Sequence, residues 1–120
     1  MPLLNYKKQF APLVESGEKR QTIRAWRKRP FVKGDRLYHY QGLRTRSCRK
    51  LLENTCAGES PIYINELEDV AVGGRGLLCA AEKAELARAD GFRGQDPWAA
   101  MFEFFKSEHG LPFSGQLVQW

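Results

Sequence analysis

Gly17-Glu18-Lys19-Arg20-Gln21-Thr22-Ile23-Arg24, continuing as Ala25-Trp26-Arg27-Lys28-Arg29-Pro30, is the stretch on which the fold and the site both turn. Glycine takes the left-handed conformation that ends helices, so Gly17 releases the chain from whatever precedes it. Thr22 to Trp26 then favours an extended strand, which places Thr22, Arg24 and Trp26 on one face and Ile23 and Ala25 on the other. The polar face gathers a hydroxyl and a guanidinium close to a lysine, just before a cationic loop. That set suits a phosphate-bearing or nucleobase ligand.

Upstream, Tyr6, Phe10, Leu13 and Val14 fall at i, i+4, i+7 and i+8, which predicts an amphipathic first helix capped by Asn5 and closed by Gly17. Downstream, the Lys33-Gly34-Asp35 turn leads into a strand over Arg36 to Gln41. Further strands are expected at Thr45 to Leu52, Ile62 to Ile64 and Gly115 to Trp120. Ala80 to Ala89 has strong helix-forming composition and ends at Asp90-Gly91. A third helix starts with Asp96 as cap and Pro97 in its first turn, and its stripe of Trp98, Met101, Phe102 and Phe105 reads as core.

Charge is unevenly distributed. The first fifty residues carry 14 Lys/Arg against 3 Asp/Glu, a net of 14 − 3 = +11, and the remaining seventy carry 5 against 11, a net of 5 − 11 = −6. Such a dipolar chain orients an anionic partner as well as attracting it, although a basic run is also what a solvated face looks like. A length of 120 residues supports one core, hence a single domain over 1–120. The N-terminal residues lack an apolar signal-peptide core, and no run reaches membrane-spanning length, so no membrane partner and a cytoplasmic location are expected. Cys48, Cys56 and Cys79 show no metal-ligand spacing, so they are read as reduced and partly buried, with no metal and no cofactor. Nothing in the chain identifies a stable protein partner.

The amphipathic first helix, Gly17-x-Lys19-x-x-Thr22-x-Arg24, the basic loop, Lys33-Gly34-Asp35, Ala89-Asp90-Gly91-Phe92 and the terminal Phe113-x-Gly115-x-x-x-x-Trp120 together resemble the ASCH domain family, over nearly the whole chain. The resemblance implies an α+β fold of the PUA-like kind: a small mixed β-barrel of about five or six strands with about three flanking helices. It also implies binding of RNA, a nucleotide or a modified nucleoside. Some members are amidohydrolases that deacetylate N4-acetylcytidine, and others are reported as ribonucleases. By resemblance, Thr22 stands where those hydrolases hold a nucleophilic hydroxyl, Lys19 where they hold its activating base, and Arg24 at the motif's guanidinium.

The chemistry is consistent with that assignment, because a threonine hydroxyl needs a base, and a lysine serves only if desolvation or neighbouring cations favour its neutral form. Arg20 and Arg24 are expected to press Lys19 that way. As ligand-binding residues, Lys19, Arg20, Thr22 and Arg24 would contact a phosphate or base edge. Arg27, Lys28 and Arg29 would follow a backbone, and Trp26 would either stack a base or pack in the core. The chain departs from the hydrolases in one respect: their catalytic glutamate corresponds to a position near Ala99, which has no carboxylate, and Glu82, Glu85 or Glu103 would serve only under a shifted alignment. The segment from Cys48 to Ser60 is also longer than in the compact hydrolases. His39 is read as a satisfied histidine of its strand and His109 as a partner of helix-terminal carbonyls. A purely structural reading makes Thr22 a satisfied strand residue and leaves Lys19, Arg20 and Arg24 exposed. Two features separate the functional readings: a carboxylate within reach of Lys19 or Thr22 in an enclosed pocket favours an enzyme, and a shallow basic groove favours binding alone.

Overall fold

The computed structural model describes residues 2–120. Its first element corrects the sequence reading. Leu3–Tyr6 is a strand, β1, whose side chains alternate exposed and buried, the period-2 pattern of a half-buried strand. Tyr6 therefore belongs to no helix, and Asn5 caps none; its Oδ1 accepts the Leu43 N–H at 3.0 Å instead. The first helix, α1, is the shorter Ala11–Ser16, with Phe10 at its N-cap and Gly17 (φ 84°) closing it as expected. Phe10 and Val14 are buried as the apolar spacing predicts.

The remaining elements follow the sequence more closely. β2 is Gln21–Ala25, one residue earlier than anticipated. β3 is Arg36–Gln41. β4 is Arg49–Thr55, shifted from Thr45–Leu52 because Thr45 Oγ1 donates to Gly42 C=O at 2.6 Å and holds the preceding residues in a turn. β5 is Gly58–Ile64, so the long segment from Cys48 to Ser60 is spent on strand. β6, Val70–Val72, was not foreseen. α2 is Ala80–Ala89. In α3, Pro97–Glu108, the Asp96 side chain accepts from Ala99 N–H, the cap read from the sequence. β7 is Phe113–Gln119.

The chain is thus α+β, with seven strands and three helices among the described residues. The strands form two sheets, β1-β3-β4 and β2-β7-β5-β6. β1 runs parallel to β3, and the other ladders are antiparallel. No ladder among the described residues joins the two sheets into a closed barrel; β1 and β2 are each left as an edge strand. One buried cluster spans both sheets and the helices, including Leu4, Leu37, Ile62, Ile64, Met101 and Phe105. α3 is keyed to β7 by Phe105 against Phe113, ring centroids 4.9 Å apart. Among the described residues no helix is long and apolar enough to cross a membrane.

The β2–β7 seam depends on Gly115. A Cβ there would collide with the Arg24 carbonyl oxygen and lie 2.7 Å from the Phe113 ring. Backbone on one side cannot yield cheaply, so Gly115→Ala is expected to cost about 1–3 kcal/mol by overpacking. Gly76→Ala, with nothing within 4 Å of the added methyl, serves as control and is expected to stay within about 0.5 kcal/mol. Equilibrium urea unfolding of the two variants checks this.

Candidate functional site

The open edges of β1 and β2 face a cleft of about 250 Å³. Asn5, Tyr6 and Lys7 line it from β1 and its end, Thr22 to Ala25 from β2, Asp90 from the end of α2, and Phe104, Phe105, Glu108 and His109 from α3 and its cap. Phe10 and Lys19 complete the lining. Because Trp120 N–H donates to Arg20 C=O, ladder alternation pairs Thr22 and Arg24 with β7 and turns the main chain of Ile23 away from it. That is why residues from both faces of β2 line the cleft: the site uses the strand's edge, not its polar face alone.

Lys19 is not a solvated surface cation. It is 2% exposed, its ammonium donates to the Asp90 carbonyl, and it lies 5.1 Å from the centre of the Phe10 ring. Asp90 is the C-cap residue of α2, so the ammonium also meets the negative end of that helix. Asp90 Oδ1 is 3.3 Å from Lys19 Nζ. This is ion-pair range, but it is off the line of a hydrogen bond, and the oxygen has no such partner among the described residues. Gly91 makes the approach possible, since a Cβ there would stand 3.0 Å from the Phe10 ring and 3.2 Å from Lys19 Cδ. Desolvation dominates both ionisations: it pushes the Lys19 ammonium down and the Asp90 carboxyl up, against their mutual attraction. The cations that further depress Lys19 are Arg24 and Arg93, not Arg20.

Thr22 is 4% exposed, and its Oγ1 accepts from Arg24 Nε at 3.0 Å. The hydroxyl proton is thereby left free to donate elsewhere. Arg24 in turn lies over the Tyr6 ring, 4.9 Å from its centre. Behind it, Tyr6 OH is 2.9 Å from His39 Nδ1, and His39 Nε2 is 2.8 Å from Asn54 Oδ1. The asparagine carbonyl calls for a protonated Nε2, so Nδ1 is the acceptor and the tyrosine hydroxyl donates. A polar chain therefore runs from β4 through β3 and β1 to the threonine on β2. Burial raises the Tyr6 pKa and lowers that of His39.

His39 is fully buried, as expected of a satisfied histidine, and its depressed pKa has a measurable consequence. Below about pH 6.5 the unfolded chain takes up a proton that the native state refuses, so this contribution to stability is lost as pH falls towards the native pKa. Wild type should lose up to about 1.4 kcal/mol per pH unit from this group on acidification. His39→Gln, compared by urea unfolding at several values from neutral to mildly acidic pH, should show a shallower fall. Parallel slopes for the two proteins would contradict the assignment.

Not every sequence-predicted residue reaches the cleft. Lys19, Thr22 and Arg24 converge there; Arg20, Trp26, Arg27, Lys28 and Arg29 are exposed and do not line it. Trp26 is 46% exposed, so it is no core residue. The carboxylate sought near Ala99 is absent from the cleft, because Ala99 lies on an exposed part of α3. Glu82 is occupied with Arg75 and the Cys79 N–H, and neither Glu85 nor Glu103 lines the cleft. The carboxylates that do line the cleft are Asp90 and Glu108. The clue to Asp90 was Ala89-Asp90-Gly91-Phe92 at the helix end, read as a stop signal and as part of the family resemblance but given no role in the site. His109 also differs from expectation: its ring stacks on Phe105 at 5.2 Å and lies 5.0 Å from Phe113, and burial lowers its pKa. Lys7 and Glu108, both lining the cleft, form an ion pair at 2.6 Å. Cys48, Cys56 and Cys79 are free thiols, of which only Cys56 is buried. Among the described residues no cluster of potential metal ligands occurs.

No family model matches the chain, and neither the curated proteins nor the solved structures yield a match.

Proposed function

We propose that the cleft binds one nucleobase-bearing ligand, a nucleoside or an unpaired nucleotide of RNA, in an ASCH-like domain whose two sheets are the walls of a PUA-like barrel open between β1 and β2. The observation that carries this reading is the convergence of Lys19, Thr22, Arg24 and Asp90 on a single recess of about 250 Å³. That volume is just below the roughly 300–1,000 Å³ usual for drug-sized ligands, which fits one base with its sugar. Phe10, Phe104 and Tyr6 supply apolar contact. Free main-chain groups on the β2 edge at Ile23, together with the Thr22 hydroxyl, supply donors and acceptors for a base edge. The net charge of +11 in the first fifty residues steers an anionic ligand towards this half of the chain. Three free thiols accord with a reducing, cytoplasmic setting.

A second reading, amide hydrolysis, is favoured by the Asp90 carboxylate beside Lys19 at 3.3 Å. The Thr22 oxygen would attack the acyl carbon of an N4-acetylcytidine-type substrate while a neutral Lys19 amine takes the hydroxyl proton. Collapse would break the C–N bond, with the leaving amine regaining that proton, and water would then hydrolyse the acyl-threonine ester to free acid and threonine. Asp90 would hold Lys19 in place and share its proton, and burial supports the neutral amine.

Incubation with N4-acetylcytidine, with calorimetric binding of cytidine in parallel, tests both readings. Binding lost in Thr22→Val with its unfolding midpoint retained supports the site, and product formation abolished in the same variant supports hydrolysis. Binding without turnover in wild type sinks hydrolysis alone. Absence of both binding and turnover in wild type overturns the proposal.

A further inference from the structure

We propose that Trp26, Ser114 and Tyr63 form a stacking platform for a second nucleotide, so that the physiological ligand is a single-stranded RNA segment and not a free nucleoside. The inference rests on the reading of the cleft as a nucleobase site and extends it to a surface of its own.

The platform follows from strand register. Ala25 pairs with Gly115 across β2–β7, and Tyr63 pairs with Ser114 across β5–β7. The residue after Ala25 therefore comes level with Ser114, and Trp26 Nε1 donates to Ser114 Oγ at 3.2 Å. Residues directly opposite in a ladder project to the same side, so the indole, the hydroxyl and the phenol form one cross-strand row. Its two ends are open to solvent, Trp26 at 46% and Tyr63 at 44% exposure. Two large aromatic side chains left half exposed at the two ends of one cross-strand row, with Ser114 between them, need a reason in a chain that buries Phe31, Phe92, Phe105 and Phe113 almost completely. The hydrogen bond to Ser114 satisfies the one polar group of the indole and fixes the ring. What remains available is its π-face, the feature that stacks unpaired bases with little regard to sequence.

Charge complementarity identifies the occupant. Arg27, Lys28 and Arg29 follow Trp26 directly and are exposed. Their loop is fastened to the same sheet by Gln116, which accepts from Phe31 N–H at 2.9 Å and donates to Phe31 C=O at 2.5 Å. Arg27 lies over the Phe31 ring, 4.6 Å from its centre, so one cation is held in place beside the platform. Glu59, an acid on the same side of β5 as Tyr63, is already taken by Gln116 Nε2 at 2.8 Å. Aromatic faces with adjacent cations are the combination that binds single-stranded nucleic acid, because stacking takes the base and the cations take the phosphates. Thr22, Arg24 and Trp26 succeed one another on one side of β2, roughly 13 Å from first to last at about 3.3 Å per residue. A strand with one base in the cleft can thus lay a neighbour on the indole.

The test is fluorescence-anisotropy binding of a labelled single-stranded cytidine RNA, of about eight nucleotides to lie within the usual site sizes, with calorimetric binding of cytidine in parallel. Trp26→Ala and Tyr63→Ala should each weaken the RNA by about 5- to 150-fold, the range for loss of one stacked base, and leave cytidine affinity unchanged. Trp26→Phe, which keeps a π-face, should recover most of the loss. Arg27→Ala with Arg29→Ala should flatten the salt dependence. Both positions are exposed, so wild-type unfolding midpoints are expected and serve as the folding control. RNA affinity unaltered in Trp26→Ala and Tyr63→Ala while cytidine still binds would overturn the platform and spare the cleft. RNA retention that depends on Trp26 but not on Thr22, with no cytidine binding, would overturn the cleft reading and spare the platform. Equal weakening of a double-stranded RNA by the same substitutions would overturn stacking, since paired bases offer no free face.

Discussion

Lys19→Met is expected to destabilise the protein by about 3–5 kcal/mol, the usual cost of removing one partner from a buried ion pair. The side chain is among the largest that are fully buried, and its ammonium serves the carbonyl and the carboxylate of Asp90 together. Methionine keeps the volume and the contact with Phe10 but leaves Asp90 enclosed without a counter-charge, forced either to ionise unpaired or to hold a proton at neutral pH. The double variant Lys19→Met/Asp90→Leu removes both charges and should recover much of the loss, because a buried pair exchanged for apolar groups is often near neutral. Urea unfolding of the two singles and the double closes the cycle. Additive losses would show that the two groups do not act as a pair.

Phe105→Ala is expected to cost about 3–5 kcal/mol, the range for removing a buried phenylalanine. Phe105 is 1% exposed and meets Phe104, His109 and Phe113 at centroid distances of 5.8, 5.2 and 4.9 Å. It ties α3 to β7 and also forms part of the cleft wall, so its removal should weaken ligand binding along with the fold. Phe102→Ala, on the partly buried flank of the same helix, should cost less. Thermal and urea unfolding of both check the ranking, and equal losses would contradict the packing described.

How much of this was legible in the sequence depended on whether local signals decided the outcome. α2 was readable from its composition and its Asp90-Gly91 stop, and α3 because cap, proline and apolar stripe agree with a helix at the same residues. β3 was readable because its turn and its alternation agree. β1 was not, because Tyr6, Phe10 and Val14 keep a helical spacing while Leu3 to Tyr6 also satisfies a strand. Parallel pairing with β3, a contact more than thirty residues away in the chain, decides between them. β6 escaped notice because three residues carry too little periodicity. In the site, Lys19, Thr22 and Arg24 were marked by their spacing. Asp90 was hidden because a helix-end Asp-Gly is explained sufficiently by helix termination. Only the fold brings it 71 residues back to Lys19. The polar chain through Tyr6, His39 and Asn54 was likewise beyond reach, since each member lies on a different strand. The basic loop was visible as charge, but its separation from the cleft and its anchoring by Gln116 are tertiary facts.

Entry of a nucleoside between β1 and β2 is the event on which the proposed function depends. Titration of N4-acetylcytidine or cytidine into isotope-labelled protein, followed by amide chemical shifts, gives the most direct answer. The predicted result is a saturable set of shifts confined to Ile23, Arg24, Ala25, Asp90 and Gly91, and its loss in Thr22→Val. Shifts that cluster instead around the second hollow by Arg75, Glu82 and Gln119, or no shifts at all, would contradict it.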